Sequence, residues 1–112
     1  MPADQQQGQQ QRGQYHLQAQ GIGKGDVVGI FIENRPELLV SVLAVAKIGA
    51  ISAMLNTSQT QQALLHSVNL VNPAAILVGA ELVQAYLAIR QRVAIEPEKT
   101  WWVADPLDPQ TV

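Results

Sequence analysis

Three glycines and a lysine stand within six positions at "GIGKGD", residues 21–26, directly ahead of the apolar run "VVGIFI". Glycines so closely spaced are what a phosphate-binding loop needs, because bare backbone N–H groups can approach an anion while a lysine neutralises it. Such a loop follows a strand and opens a helix, so that the helix N-terminus faces the phosphate. Here the order is reversed: the glycines precede the strand, and the turn that leaves it, "ENRP", has none. Asp26 also stands where G-x-G-x-x-G requires its third glycine. These residues predict a helix-to-strand corner instead, with glycine supplying positive φ and Lys24 and Asp26 facing water.

Other groups capable of chemistry are scattered. His16 lies in a glutamine-rich stretch and His66 follows Leu64 and Leu65; neither has a second metal ligand three or four residues away. His66 reads as a surface or partly buried helix residue. Glu33 ends the first apolar run, where α/β proteins place functional groups, yet no acidic partner is near it in sequence, so it reads as a helix-flanking carboxylate. A phospho-acceptor would want an aspartate closing the third strand, and "ILVGAE" offers only Gly79 and Glu81. Trp101 and Trp102 must point to opposite faces of a strand, and core packing is expected of both. No catalytic, cofactor-binding or metal-ligating residue is assigned from these patterns.

The elements that would position such groups follow from composition and period. At 112 residues, 47% of them hydrophobic and 14% charged, the chain is sized for one packed core. A formal net charge of −2 with scattered signs supplies no basic stripe, so nucleic acid is not expected as a partner. Without cysteine there is no disulfide framework or thiolate chemistry, which suits a reducing cytosol. The opening "MPADQQQGQQQRGQ" lacks the basic start and apolar core of a secretory signal, so a cytoplasmic location is expected. The apolar stretch 38–55 approaches the length of a membrane span, but Lys47 and Gly49 interrupt it where a helix-to-strand corner falls, and no span is expected.

Residues 1–20 hold nine glutamines and few branched apolar side chains, and are expected to form a disordered tail. The domain is expected over 21–105, followed by a tail at 106–112. "VVGIFI" is apolar on both faces, the mark of a strand in a parallel sheet. A helix follows from Pro36 to about residue 48, capped by Asn34 or Arg35 and stopped at Gly49. "ISAML" reads as a second strand, and Ser58 with Gln61 as a capping box for a helix that buries Leu64, Leu65, Val68 and Val71. "NP" at 72–73 breaks that helix before the strand "AAILV". A third amphipathic helix over Leu82, Val83, Tyr86, Leu87 and Ile89 ends near Arg90 and Arg92, and "TWWVA" makes a fourth strand. The order β-α-β-α-β-α-β with short links predicts an α/β fold, an open, doubly wound, mainly parallel sheet.

From Gly21 to about Gly79 the text resembles the N-terminal region of AMP-forming acyl-CoA synthetases, most nearly the long-chain and very-long-chain synthetases that include fatty-acid transport proteins. The features that carry the likeness are "GIGKGDVV" before the first strand, "ENRPE" opening the helix, "AKIGA" closing it, and "LNT" followed by "ALLHS". The resemblance implies a partial subdomain of a larger adenylate-forming enzyme, which with ATP, Mg²⁺ and coenzyme A turns a fatty acid into its acyl-adenylate and then its thioester. It also implies peripheral membrane association for the full-length enzyme. The family's Ser/Thr/Gly-rich ATP loop, its ribose-holding acid and its lid lysine lie beyond the region of likeness. The only lysines here are Lys24, Lys47 and Lys99, so none of those roles is carried over. The expectation is a fragment, inactive alone, partnered by the remainder of the synthetase or self-associating through exposed apolar surface. The alternative is a non-enzymatic α/β binding module.

Overall fold

Four apolar runs become the four strands of one parallel sheet in the computed structural model, which describes residues 3–95 and 97–103. The strands are β1 (Val27–Phe31), β2 (Ile51–Met54), β3 (Ala75–Gly79) and β4 (Thr100–Val103). They lie in the order β2-β1-β3-β4, every neighbouring pair parallel. The helices are α1 (Ala3–Ala19), α2 (Pro36–Lys47), α3 (Gln61–Val71) and the short α4 (Val83–Leu87). The expected C-terminal tail at 106–112 lies outside the described residues.

Because side chains alternate along a strand, each central strand feeds two cores. Val28 and Ile30 of β1, Ala75 and Leu77 of β3 and Trp101 and Val103 of β4 pack with Leu17 of α1 and Val45 of α2. Phe31, Ile76 and Val78 face the other way, onto Leu64, Leu65 and Val68 of α3 and Tyr86 of α4. Helices therefore cover both faces, and the doubly wound α/β reading stands. The apolar stretch 38–55 is divided between α2 and β2, and among the described residues no helix is long and apolar enough to cross a membrane.

The glycine corner closes α1. Gly21 has φ +83°, Ile22 N–H donates to Leu17 O at 3.0 Å and Gly21 N–H to Gln18 O at 3.0 Å. This is a Schellman stop, in which glycine takes the left-handed position and the residue beyond it packs back on the helix. Ile22 and Leu17 share one core, as that motif requires. The same geometry ends α2: Gly49 has φ +78°, with Ala50 N–H on Val45 O at 3.1 Å and Gly49 N–H on Ala46 O at 3.0 Å. Lys24 is exposed as expected, but Asp26 is only partly so, because its carboxylate accepts the Gly23 N–H at 2.8 Å.

Three expectations are corrected. Where composition predicts a disordered tail, residues 3–19 form α1. Glutamine is among the better helix formers, propagation is cheap once a turn exists, and burial of Leu17, 1% exposed, fastens the C-terminal end. The capping box at Ser58 and Gln61 does not form. Asn56 Oδ1 takes both the Ser58 hydroxyl, at 2.7 Å, and its N–H, at 3.0 Å, so a local turn wins the side chain and Thr60 stands at the N-cap without a side-chain bond. The third amphipathic helix is broken into a 3-10 turn at Ala80–Leu82, α4, and a second 3-10 turn at Arg90–Arg92. Its buried members, Tyr86 and Ile89, are three residues apart, a spacing that a 3-10 turn aligns and an α-helix skews.

Candidate functional site

In a doubly wound sheet, ligands settle beyond the carboxyl ends of the strands, where the chain leaves two adjacent strands for opposite faces. That point falls between β1 and β3, since α2 covers one face and α4 the other. The residues beyond these two strand ends are Glu33 to Arg35 and Ala80 with Glu81. The glycine corner "GIGKGD" enters β1 at the opposite, amino end of the sheet.

An ionic cluster fills the crevice. Arg35, the N-cap residue of α2, reaches Glu81 Oε1 with Nη2 at 2.7 Å and Glu37 Oε2 with Nη1 at 3.1 Å. Nη2 also donates to the carbonyl of Val103 at 2.9 Å, so one guanidinium ties together the ends of β1, β3 and β4. Glu81 Oε2 accepts the backbone N–H of Glu33 at 2.8 Å. Gly79 makes room for this carboxylate, because a Cβ there would collide with it. Glu37 is 6% exposed, a buried carboxylate paired with the arginine.

Burial pushes the Glu81 carboxyl up, but the N–H groups of Glu33 and of Glu81 itself, with the hydrogen bond and charge of Arg35, outweigh it and hold the pKa below its ordinary value of 4.5. A carboxyl whose pKa is depressed by folding stabilises the fold fully above its unfolded value and loses that contribution as pH falls through the folded one. Stability of the wild type is therefore expected to drop as the pH is lowered below about 4.5. Glu81→Gln should drop less over the same interval, measured as urea midpoints along a pH series.

The model of the AMP-binding enzyme family matches residues 15–111. The chain belongs to that family. As an AMP-binding family member it is 42% identical over 81 residues to the medium/long-chain-fatty-acid–CoA ligase FadD6 of Mycobacterium tuberculosis, a match spanning 70% of this chain and 14% of the ligase. Against long-chain fatty acid transport protein 6 of Mus musculus the identity is 33% over 66 residues, 59% of this chain and 11% of the relative. Among solved structures, the long-chain-fatty-acid–CoA ligase FadD1 from Archaeoglobus fulgidus superposes with a TM-score of 0.76 at 18% identity, over 85% of this chain and 18% of that one. The N-terminal domain of FACL13 from Mycobacterium tuberculosis gives 0.73 at 26% identity, over 93% and 26%. This AMP-binding family chain thus spans about a seventh of the length of the FadD6 ligase.

Within this family member, the residues weighed from sequence are placed as follows. Glu33 is exposed and contributes its N–H rather than its carboxylate. Glu81 enters the crevice as the partner of Arg35, a role that "ILVGAE" gave no sign of. His66 is exposed on α3. His16 packs edge-on against Trp101, with ring centroids 4.6 Å apart. Trp101 is core, while the side chain of Trp102 lies outside the described residues. Arg35 is the functional group that sequence reasoning passed over, having been weighed only as a helix cap. The crevice is occupied by its own ion pairs, with the Arg35 and Glu81 side chains partly open to water. Among the described residues no three of His, Asp and Glu converge on a metal position.

Proposed function

We propose that this chain is the first α/β layer of an ATP-dependent, AMP-forming long-chain fatty acid–CoA ligase, serving as scaffold for groups carried elsewhere in the enzyme. The observation that carries the reading is the self-filled crevice, in a chain whose kinship is to ligases many times its length. ATP, Mg²⁺ and coenzyme A are accordingly assigned to the complete enzyme and not to these residues.

The partner in this reading is the remainder of the synthetase, working in the cytoplasm and touching membranes only peripherally. Leu39 and Leu43 on α2 and Met54 on β2 are 53%, 42% and 55% exposed, large apolar side chains that a covering partner would take out of water. In the absence of that partner the same surface would drive self-association.

The test is fatty-acid-dependent exchange of pyrophosphate into ATP. The chain alone is expected to show none, and exchange well above a no-protein blank would sink the scaffold reading. A hybrid FadD6 ligase carrying this chain in place of its own 81 matched residues is expected to retain exchange. A hybrid that folds but has no exchange would mean that the layer is not interchangeable and that the ligase assignment is wrong.

A further inference from the structure

α1 is held to the molecule mainly by its packing along α2. Leu17 is buried, and Gly13 sits so near α2 that a Cβ on it would stand 3.4 Å from the Cβ of Ala44. Between these two contacts His16 sets its ring against Trp101 of β4 at an interplanar angle of 82°. Its Nε2 is buried and meets no hydrogen-bond partner. Beside the ring lies a cavity of about 30 Å³, walled by α1, α2, Leu77 in the middle of β3 and Val103 at the end of β4.

The groups around His16 are mostly apolar, and none of them bonds its Nε2. From α2, Glu37 pairs its Oε2 with Arg35 at 3.1 Å, and the Ser41 hydroxyl donates to the Glu37 carbonyl at 2.8 Å. From the sheet, Leu77, Trp101 and Val103 carry no charge. On α1 itself Arg12, one turn back, is exposed and of the wrong sign to welcome a second cation. A neutral imidazole tolerates this site with one nitrogen unbonded. An imidazolium would bring two N–H donors and a charge into it, with no acceptor offered to Nε2.

We propose that His16 is a proton-operated latch: α1 docks on α2 and β4 while the imidazole is neutral and lets go when it is protonated, baring the apolar seam of Leu17, Val40 and Ala44. Burial lowers the pKa of His16 from its ordinary 6.5, which agrees in sign. A histidine whose pKa falls on docking supports docking fully above the free value and withdraws that support as pH falls below it. The released form gains by up to about tenfold per pH unit in the interval where it alone is protonated.

Amide hydrogen exchange on the full chain, corrected for intrinsic rates, tests this between about pH 7.5 and about pH 5. Protection of the α1 amides is expected to fall as the pH passes below 6.5, by at most about tenfold per pH unit, while α3, on the opposite face, holds its protection. His16→Phe, which keeps an aromatic ring against Trp101 but cannot titrate, should leave α1 protected across the range. If that variant does not fold, titration of the His16 ring proton in the wild type decides. A midpoint below 6.5 that coincides with loss of α1 protection upholds the latch. Unchanged α1 protection, loss of α1 and α3 together, or the same pH response in His16→Phe would overturn it.

Discussion

Arg35→Ala is expected to destabilise the chain by about 3 kcal/mol, seen as a lowered urea midpoint at neutral pH with an unchanged slope. One guanidinium carries contacts to Glu37, to Glu81 and to the Val103 carbonyl, so its removal leaves a carboxylate buried to 6% exposure without its partner. Stranding a buried charge costs more than the pair contributes over an apolar replacement, which is why the loss exceeds that of an ordinary surface ion pair. Some water reaches the cluster, since the Arg35 side chain is 23% exposed, and this sets the figure at the lower end of the range for fully buried pairs. Arg35→Lys should recover only part of the loss, because a single ammonium cannot fork between two carboxylates and a carbonyl as a guanidinium does. Arg92→Ala, at an exposed position, is the control. Should Arg35→Ala cost no more than that control, the cluster contributes nothing beyond solvent-screened charge.

Leu17→Ala is expected to cost a similar amount, about 3 kcal/mol, but in a different place. Leu17 is 1% exposed and is both the C-terminal anchor of α1 and the hydrophobic partner of Ile22 in the helix stop. Among the described side chains of α1 only that of Leu17 is buried, so the loss should appear first as undocking of one element. Exchange of the α1 amides should rise by on the order of a hundredfold while the amides of α3 and β3 keep most of their protection. A loss shared equally by α1, α3 and β3 would show instead that α1 is part of one cooperative unit with the sheet.

These two positions mark the boundary between what was legible along the chain and what was not. β1, α2 and β3 could be read because their signals are local: double-sided apolar runs such as "VVGIFI", a proline in the first turn of a helix, a glycine just past its last lysine. The Gly21 and Gly49 stops needed only the few residues on either side of them. α1 was misread because composition was weighed across twenty residues, whereas the helix depends on a single buried leucine at its end and on a glycine that lets it approach α2. The capping box failed for a kindred reason, since Asn56 offered Ser58 a nearer acceptor than the helix did.

The alternation of strands and helices, the double-sided burial of the strands, family kinship and the absence of a glycine loop at the strand-to-helix turn were all written in the order of residues, because propensity and periodicity act over a few positions at a time. The ion-paired crevice was not. Glu33 and Glu81 are 48 positions apart and Arg35 and Val103 are 68, and they meet only because β1, β3 and β4 lie side by side in register with their carboxyl ends together. Nor could His16 be distinguished from a surface histidine until α1 was laid across α2 and β4. Contacts of that kind depend on how separate elements are brought together in space, and local propensity carries no information about it.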